Sequence, residues 1–462
     1  MTRPKKIKTQ TSLPTVRANA GGIDIGATVI YAAVPPDRAA PSVRKFATFT
    51  EDLHALADWL VASGVVTVAM ESTGVYWIPL FQILEDRGIE VCLVNARHVK
   101  NVPGRKTDVQ DCQWLQFLHA VGLLRASFRP PQEICAVRTI RRHRDNQVLF
   151  ASEHVQHIQK ALTQMNLQLH NVISNIVGAT GQAMLDAILA GERCPKKLVK
   201  LKDHRIKAAN ATIEKSLVGD YRPEHLFTLR QSLEAWRFYQ TQIRQCDLQI
   251  QQQLAAFASR TDPQAKPLTD TPSSRRKPQG NALCFNARTE LYRICGVDLT
   301  AIPGFEAQLA HTVISETGID LKTRFASANH FASWLGLCPD NRITGGRVLS
   351  AKTRKVVTPA ATAFRLAAQS AGQSHTSLGD FHRRMRARLG PPKAITATAH
   401  KIARIVYGML TTKTPYDETI RAKTDRRTQE QLTNRLKTQA RKLGFHLVPI
   451  PPLIDHSQTL VS

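Results

Sequence analysis

Short apolar runs that close on carboxylates constrain this chain more than any other feature. The stretch GGIDIGATVIYAAV has strand character and carries Asp24 in its first half. A second buried-strand run, VVTVAM, ends on Glu71. The stretch GRKTDVQDCQWLQFLHA opens a helix with Asp108 and Asp111, three apart and so on one face. Two strand ends and a helix start are places that a fold can draw together. Four unpaired carboxylates in a water-poor site would carry a large desolvation and repulsion cost. A pair of Mg2+ ions removes that cost. Such ions, roughly 3.5–4 Å apart, also activate water and stabilise the leaving oxygen in phosphodiester cleavage. Each acid also has a local explanation: Asp108 as a helix cap, Asp111 as a dipole-favoured neighbour, Asp24 as a turn residue. Taken together, and beside the basic pair Arg105-Lys106, the four are read as a metal site.

The 462 residues leave room for two or three domains with real cores. Lys and Arg number 63 against 36 Asp and Glu, a net charge of +27, which calls for a polyanionic partner such as nucleic acid. A membrane surface would also attract such charge, but no apolar run is long enough to span a bilayer. The start MTRPKKIKTQTSLP lacks the apolar core of a signal peptide, so a cytoplasmic location is expected. The eight cysteines are scattered without a CxxC pair, which argues against structural zinc, and a cytosolic chain of this size needs no disulfides.

Residues 1–19 read as a basic, disordered arm. Residues 20–127 give three strands and then strand–helix alternation, a mixed sheet with helices on its faces. That order matches an α/β RNase H-like fold. Residues 128–258 are strongly helical. There Leu229, Trp236, Ile243, Ile250 and Phe257 recur every seven residues, predicting a coiled-coil hairpin or a seam between subunits. Residues 259–283 are a Pro- and Ser-rich linker, residues 284–411 a mainly α-helical second compact region, and 412–462 a polar tail that adds little. Within the second region the turn Ile302-Pro303-Gly304 opens a helix. It is either a plain helix start or a helix-hairpin-helix-like phosphate cradle. A tight turn at Gly345-Gly346 follows. Arg347, Lys352, Arg354, Lys355, Arg383, Arg384 and Lys393 are expected, with Arg105 and Lys106, to contact nucleic acid.

Asp24 in GIDIG, Glu71 in MESTGVYW, and Asp108 with Asp111 in RKTDVQDCQWLQ resemble the DEDD signature of an insertion-sequence transposase family, family one-ten. The later stretches AIPGFEAQLAHTVISETG and GLCPDNRITGGRVLSAKTRK resemble its C-terminal transposase domain. The resemblance covers roughly residues 20–410. It implies a RuvC-like nuclease domain, Mg2+ at the four acids and a homo-oligomer, a dimer or tetramer. It also implies an element-encoded guide RNA that pairs with donor and target DNA. It further implies a serine nucleophile just before the Gly-Gly turn, where this chain has Thr344. Ser350 is the nearest substitute.

The expected activity is therefore that of a DNA recombinase which excises and inserts its own element with metal-bound carboxylates and a hydroxyl nucleophile. Two rivals share the same residues: a junction-resolving nuclease that uses water, and a nucleic-acid-binding scaffold with a dead site. A sugar-kinase-like ATPase also begins with a strand and an acidic Gly turn. It would need phosphate-binding glycine loops, and no G-x-x-x-x-G-K stretch occurs.

Overall fold

The computed structural model describes residues 13–95, 108–269, 280–446 and 448; within these, the side chains of Asp108 and of residues 420–429, 431 and 432 are left aside. Arg105 and Lys106 lie outside the described residues. The chain divides into two compact units, Met1–Arg129 and Pro130–Ser462.

The first unit is built on a five-stranded mixed sheet. Its strands are β1 (Ala20–Ile25), β2 (Val29–Ala33), β3 (Val43–Ala47), β4 (Thr67–Glu71) and β5 (Glu90–Val94), in the order β3-β2-β1-β4-β5. The β1–β2 and β2–β3 pairs are antiparallel and β1–β4 and β4–β5 are parallel. Parallel neighbours need crossovers, and α1 (Thr50–Ala62) and α2 (Trp77–Asp86) supply them. Strand side chains alternate between faces. Ile23, Ile25, Val68 and Met70 point to one face and form a core with Leu56, Leu60, Leu80 and Leu84 of α1 and α2.

The other face is covered by α3 (Asp108–Ala120). Cys112 and Leu115 of α3 are buried there, and Leu115 packs with Ala69, Cys92 and Val94. The amino-terminal arm was expected to be unstructured through residue 19, but its last part is held. Val16 and Arg17 donate backbone hydrogen bonds to the Ala120 carbonyl at 2.8 and 2.9 Å, which stops the open carboxyl end of the helix.

The second unit is helical apart from one hairpin. Its longest elements are α4 (Gln132–Gln164) and α9 (Pro223–Ala255), with the short helices α5 (Leu169–Val172), α6 (Ala179–Leu189), α7 (Pro195–Val199) and α8 (Asn210–Ser216) between them. Phe150 meets Tyr239, and Arg144 meets Asp247, so α4 and α9 run antiparallel. The heptad residue Leu229 shares a buried cluster with Ile158, Ala161 and Leu162 of α4, and Ile243 and Ile250 are buried on the same helix. Leu229, Ile243 and Ile250 are thus covered within the chain, while Trp236 and Phe257 are half-buried.

Beyond α9 come α10 (Ala287–Cys295), a 3-10 turn (Leu299–Ala301), α11 (Ala307–Thr317), α12 (Leu321–Arg324), α13 (Ala328–Trp334), the strands β6 (Arg342–Thr344) and β7 (Arg347–Ser350), then α14 (Pro359–Gly372), α15 (Ser377–Leu389) and α16 (Pro391–Thr412). Side chains of Ser327, Thr358 and Thr376 cap the starts of α13, α14 and α15. Gly304 has a packing role: a Cβ there would lie 2.5 Å from the Ala371 nitrogen on α14. The adjacent Ile302 and Phe305 are buried, so this turn is a helix start pressed on a neighbour. The polar tail contains one more helix, α17 (Glu418–Lys442), and Glu418 accepts a hydrogen bond from the Ser377 amide at 2.6 Å.

Candidate active site

Asp24 and Glu71 follow directly on the paired residues Ile23 and Met70 of the parallel strands β1 and β4. They therefore stand side by side at the carboxyl ends of adjacent strands, about 4.8 Å apart in the sheet. Period two puts Asp24 on the face of Ala20 and Gly22, and Glu71 on the face of Thr67 and Ala69. Both are the α3 face. A Cβ on Gly22 would stand 2.2 Å from the Cys112 carbonyl oxygen and 2.3 Å from the Gln116 nitrogen, so the helix backbone rests on the strand. The Thr67 hydroxyl lies 2.9 Å from Nε2 of His119.

The direction of α3 follows from these contacts. Gln116 Nε2 donates to the Ala20 carbonyl at 3.1 Å, one turn beyond the Cys112–Gly22 approach. The helix is thus antiparallel to β1, and its amino-terminal turn reaches the level of Asp24 and Glu71. That turn carries Asp108, which opens the helix, and Asp111, which is half-buried. The fixed positive end of the helix dipole favours carboxylates there. Cys112 registers the local field: burial first, then Asp24, and also Asp111, push its thiol up to about 12. A neutral thiol so raised is no nucleophile. Glu71 accepts a hydrogen bond from the Thr73 hydroxyl at 3.3 Å, and Ser72 anchors the following loop through its amide on the Val94 carbonyl at 2.9 Å.

At the far end of α3, burial and the neighbouring Arg17 hold His119 down at about 4. Arg17 can only donate, so Nδ1 accepts at 3.2 Å and Nε2–H donates to Thr67. His119 is a neutral strut between helix and sheet. The oxygen donors suit a hard cation such as Mg2+. Among the described residues, however, no group of three or more His, Cys, Asp or Glu is gathered closely enough to hold a metal ion.

Thr344 belongs to the other unit. It ends β6, is exposed, and pairs across the hairpin with Arg347. Gly345 and Gly346, at φ of 53° and 77°, make the two-residue turn, a conformation that glycine adopts without a Cβ penalty. Ser350 is half-buried at the hairpin's base, opposite Arg342, and its hydroxyl accepts from the Lys352 amide at 3.3 Å.

Arg347, Lys352, Arg354, Lys355, Arg383, Arg384 and Lys393 are all exposed. Two of them make internal contacts as well: Arg354 bonds the Ser333 carbonyl and hydroxyl, and Arg383 bonds Asp380 at 2.6 Å and the Ser374 carbonyl at 2.9 Å. Sequence reasoning missed Gly22, Cys112 and His119, which bring the helix to the sheet. Their only signal is the GG pair before Asp24 and the four-residue spacing from Cys112 to Gln116.

Such a combination, a mixed sheet with acids at its parallel strand ends and a basic helical unit, defines a class of nucleic-acid-processing proteins. Residues 21–167 match the family model of the DEDD transposases of IS110 type, described as Transposase. Residues 298–383 match the family described as Transposase IS116/IS110/IS902. A search of the curated proteins finds no match. The chain belongs to the IS110-type transposases, which act on DNA. Among the described residues, no helix is long and apolar enough to cross a membrane.

Proposed function

We propose that this transposase excises and inserts its own element, using the carboxylates of one unit and a hydroxyl of the other. The observation that carries the reading is the placement of Asp24 and Glu71 side by side, on the face that meets the start of α3 with Asp108 and Asp111. The strand order β3-β2-β1-β4-β5 supports an RNase H-like sheet of the RuvC type. Asp24, Glu71, Asp108 and Asp111 would hold Mg2+, which supplies charge neutralisation at the scissile phosphate. The Thr344 hydroxyl attacks phosphorus: a phosphorus–oxygen bond to Oγ forms as the bond to one DNA oxygen breaks. The hydroxyl proton passes through water to the departing oxygen. Exposed Arg347, Lys352, Lys355, Arg384 and Lys393, with Arg105 and Lys106, supply phosphate contacts. An element-encoded guide RNA pairs with donor and target DNA, and copies of the chain assemble as a dimer or tetramer.

One experiment tests the chemistry. Cleavage of element-end DNA is followed on denaturing gels with wild type, Glu71→Gln, Asp108→Asn, Thr344→Ala, Thr344→Ser and Ser350→Ala. The acid variants are expected to lose cleavage while keeping DNA affinity. Thr344→Ala loses the covalent protein–DNA adduct. Thr344→Ser keeps or raises activity because the methyl that crowds attack is gone. Ser350→Ala stays active. Cleavage by both alanine variants without an adduct would replace the hydroxyl by water, the junction-nuclease chemistry. Sequencing RNA that co-purifies with the protein tests the guide, and an absence of any element transcript would remove it.

A further inference from the structure

We propose that the β6–β7 hairpin is a ribbon that enters the major groove of double-helical DNA and lays the Ile343–Val348 pair against base edges. The inference requires only that the chain acts on DNA, not that Thr344 attacks it. The register pairs Thr344 with Arg347 and Ile343 with Val348. Alternation puts these two pairs on opposite faces of the ribbon. One face is therefore polar and cationic, and the other presents two β-branched residues side by side. Such a pair ordinarily covers a core. Here Ile343 and Val348 are 59% and 57% exposed, and Leu349, which the register passes over, is 70% exposed. Among the described residues, a Cβ on either turn glycine would meet nothing within 4 Å, so neither glycine is packed there.

Charge selects the occupant. From Pro339 to Val357 the sequence holds five cations and one carboxylate, Asp340; Arg354 is bound to Ser333, and Arg342, Arg347, Lys352 and Lys355 are exposed. An apolar protein surface would cover the two aliphatic residues but leave these cations facing a partner without counter-charge. Duplex DNA answers both needs: phosphates flank the groove, and thymine methyl groups line it. The major groove of B-form DNA, about 12 Å wide, admits a two-stranded ribbon, whereas the major groove of A-form RNA is too narrow and deep for side chains to read. DNA is thus the polyanion that fits the whole hairpin.

The test is anisotropy of a labelled mixed-sequence DNA duplex with the full chain at fixed salt. Ile343→Thr/Val348→Thr retains β-branching and strand preference while adding hydroxyls. It is expected to weaken DNA affinity about tenfold, the order for two half-exposed aliphatic side chains that no longer leave water favourably. The swap Ile343→Val/Val348→Ile keeps wild-type affinity, which shows that the apolar face and not a damaged turn is being read. Replacing thymine by uracil in the probe weakens wild type more than the threonine variant. Affinity for an RNA duplex is unchanged by either variant. Unaltered DNA binding by the threonine variant would overturn the proposal. So would an equal loss in the swap, an equal loss on RNA, indifference of wild type to the thymine methyl, or a fall in oligomer mass by light scattering, which would make this a protein interface.

Discussion

Gly22 fixes how closely helix α3 approaches β1. Helix α3 touches β1 through its backbone at this point, and a methyl group would lie 2.2 Å from the Cys112 carbonyl and 2.8 Å from the Gln116 Cα. Neither obstacle is a flexible side-chain end, so the helix must lift. Gly22→Ala is expected to cost about 3 kcal/mol, the upper part of the overpacking range. Chemical denaturation measures this, and DNA cleavage should fall further than DNA affinity because the helix start carries Asp108 and Asp111. A variant of unchanged stability would mean that α3 slides freely on the strand. Asp24, Glu71, Asp108 and Asp111 could each be picked out of the sequence because acids beside apolar runs are conspicuous. Gly22 could not, because its reason is a helix backbone some ninety residues away.

At the scale of elements, the run Arg138, Arg141, Arg142 and Arg144 is legible as a charged helix, yet its purpose is not. Within α4, Arg142 forms two 2.8 Å bonds to Glu316 of α11, and Arg141 pairs with Asp145. Arg144 is fully buried against Asp247 of α9, and it also donates to the Asn281 and Ala282 carbonyls at 3.0 and 3.3 Å. Asp247 in turn accepts from the Cys284 amide at 3.1 Å. Apart from Asp145, four residues on, the partners of these arginines lie 103 to 174 positions away, beyond any periodicity. The pair ties the α4–α9 hairpin to the segment that leads into α10. Asp247→Ala leaves a guanidinium buried without its counter-ion and is expected to destabilise by about 3–5 kcal/mol. Arg144→Met with Asp247→Leu should cost much less, because no charge is then stranded. Equal losses in single and double variants, read by denaturant midpoint, would show that the ion pair is not the cause. The heptad of α9 teaches the same lesson. Its apolar spacing was visible, but only the fold shows that Leu229, Ile243 and Ile250 are covered within one chain.

At the scale of the whole molecule, the net charge of +27 overstates the surface that DNA can use. Several arginines are spent on internal contacts, including Arg142, Arg144, Arg354 and Arg383. Affinity should still fall steeply with salt, on the order of a thousandfold between 50 and 200 mM if six or more phosphates are contacted, since each contact releases condensed counterions. The two kinds of cation then separate by experiment. Lys352→Ala and Lys355→Ala should each weaken binding across all sequences and lower the slope of log affinity against log salt by about one. Arg383→Ala should leave that slope nearly unchanged, because its guanidinium already holds Asp380 and the Ser374 carbonyl, and should instead loosen the α14–α15 connection. Fluorescence anisotropy over a salt series gives the slopes, and thermal unfolding gives the stability of each variant. If Arg383→Ala lowered the slope as much as the lysine variants do, internal bonding would be no guide to which cations reach the backbone of DNA. The partition of basic residues drawn from the fold would then fail.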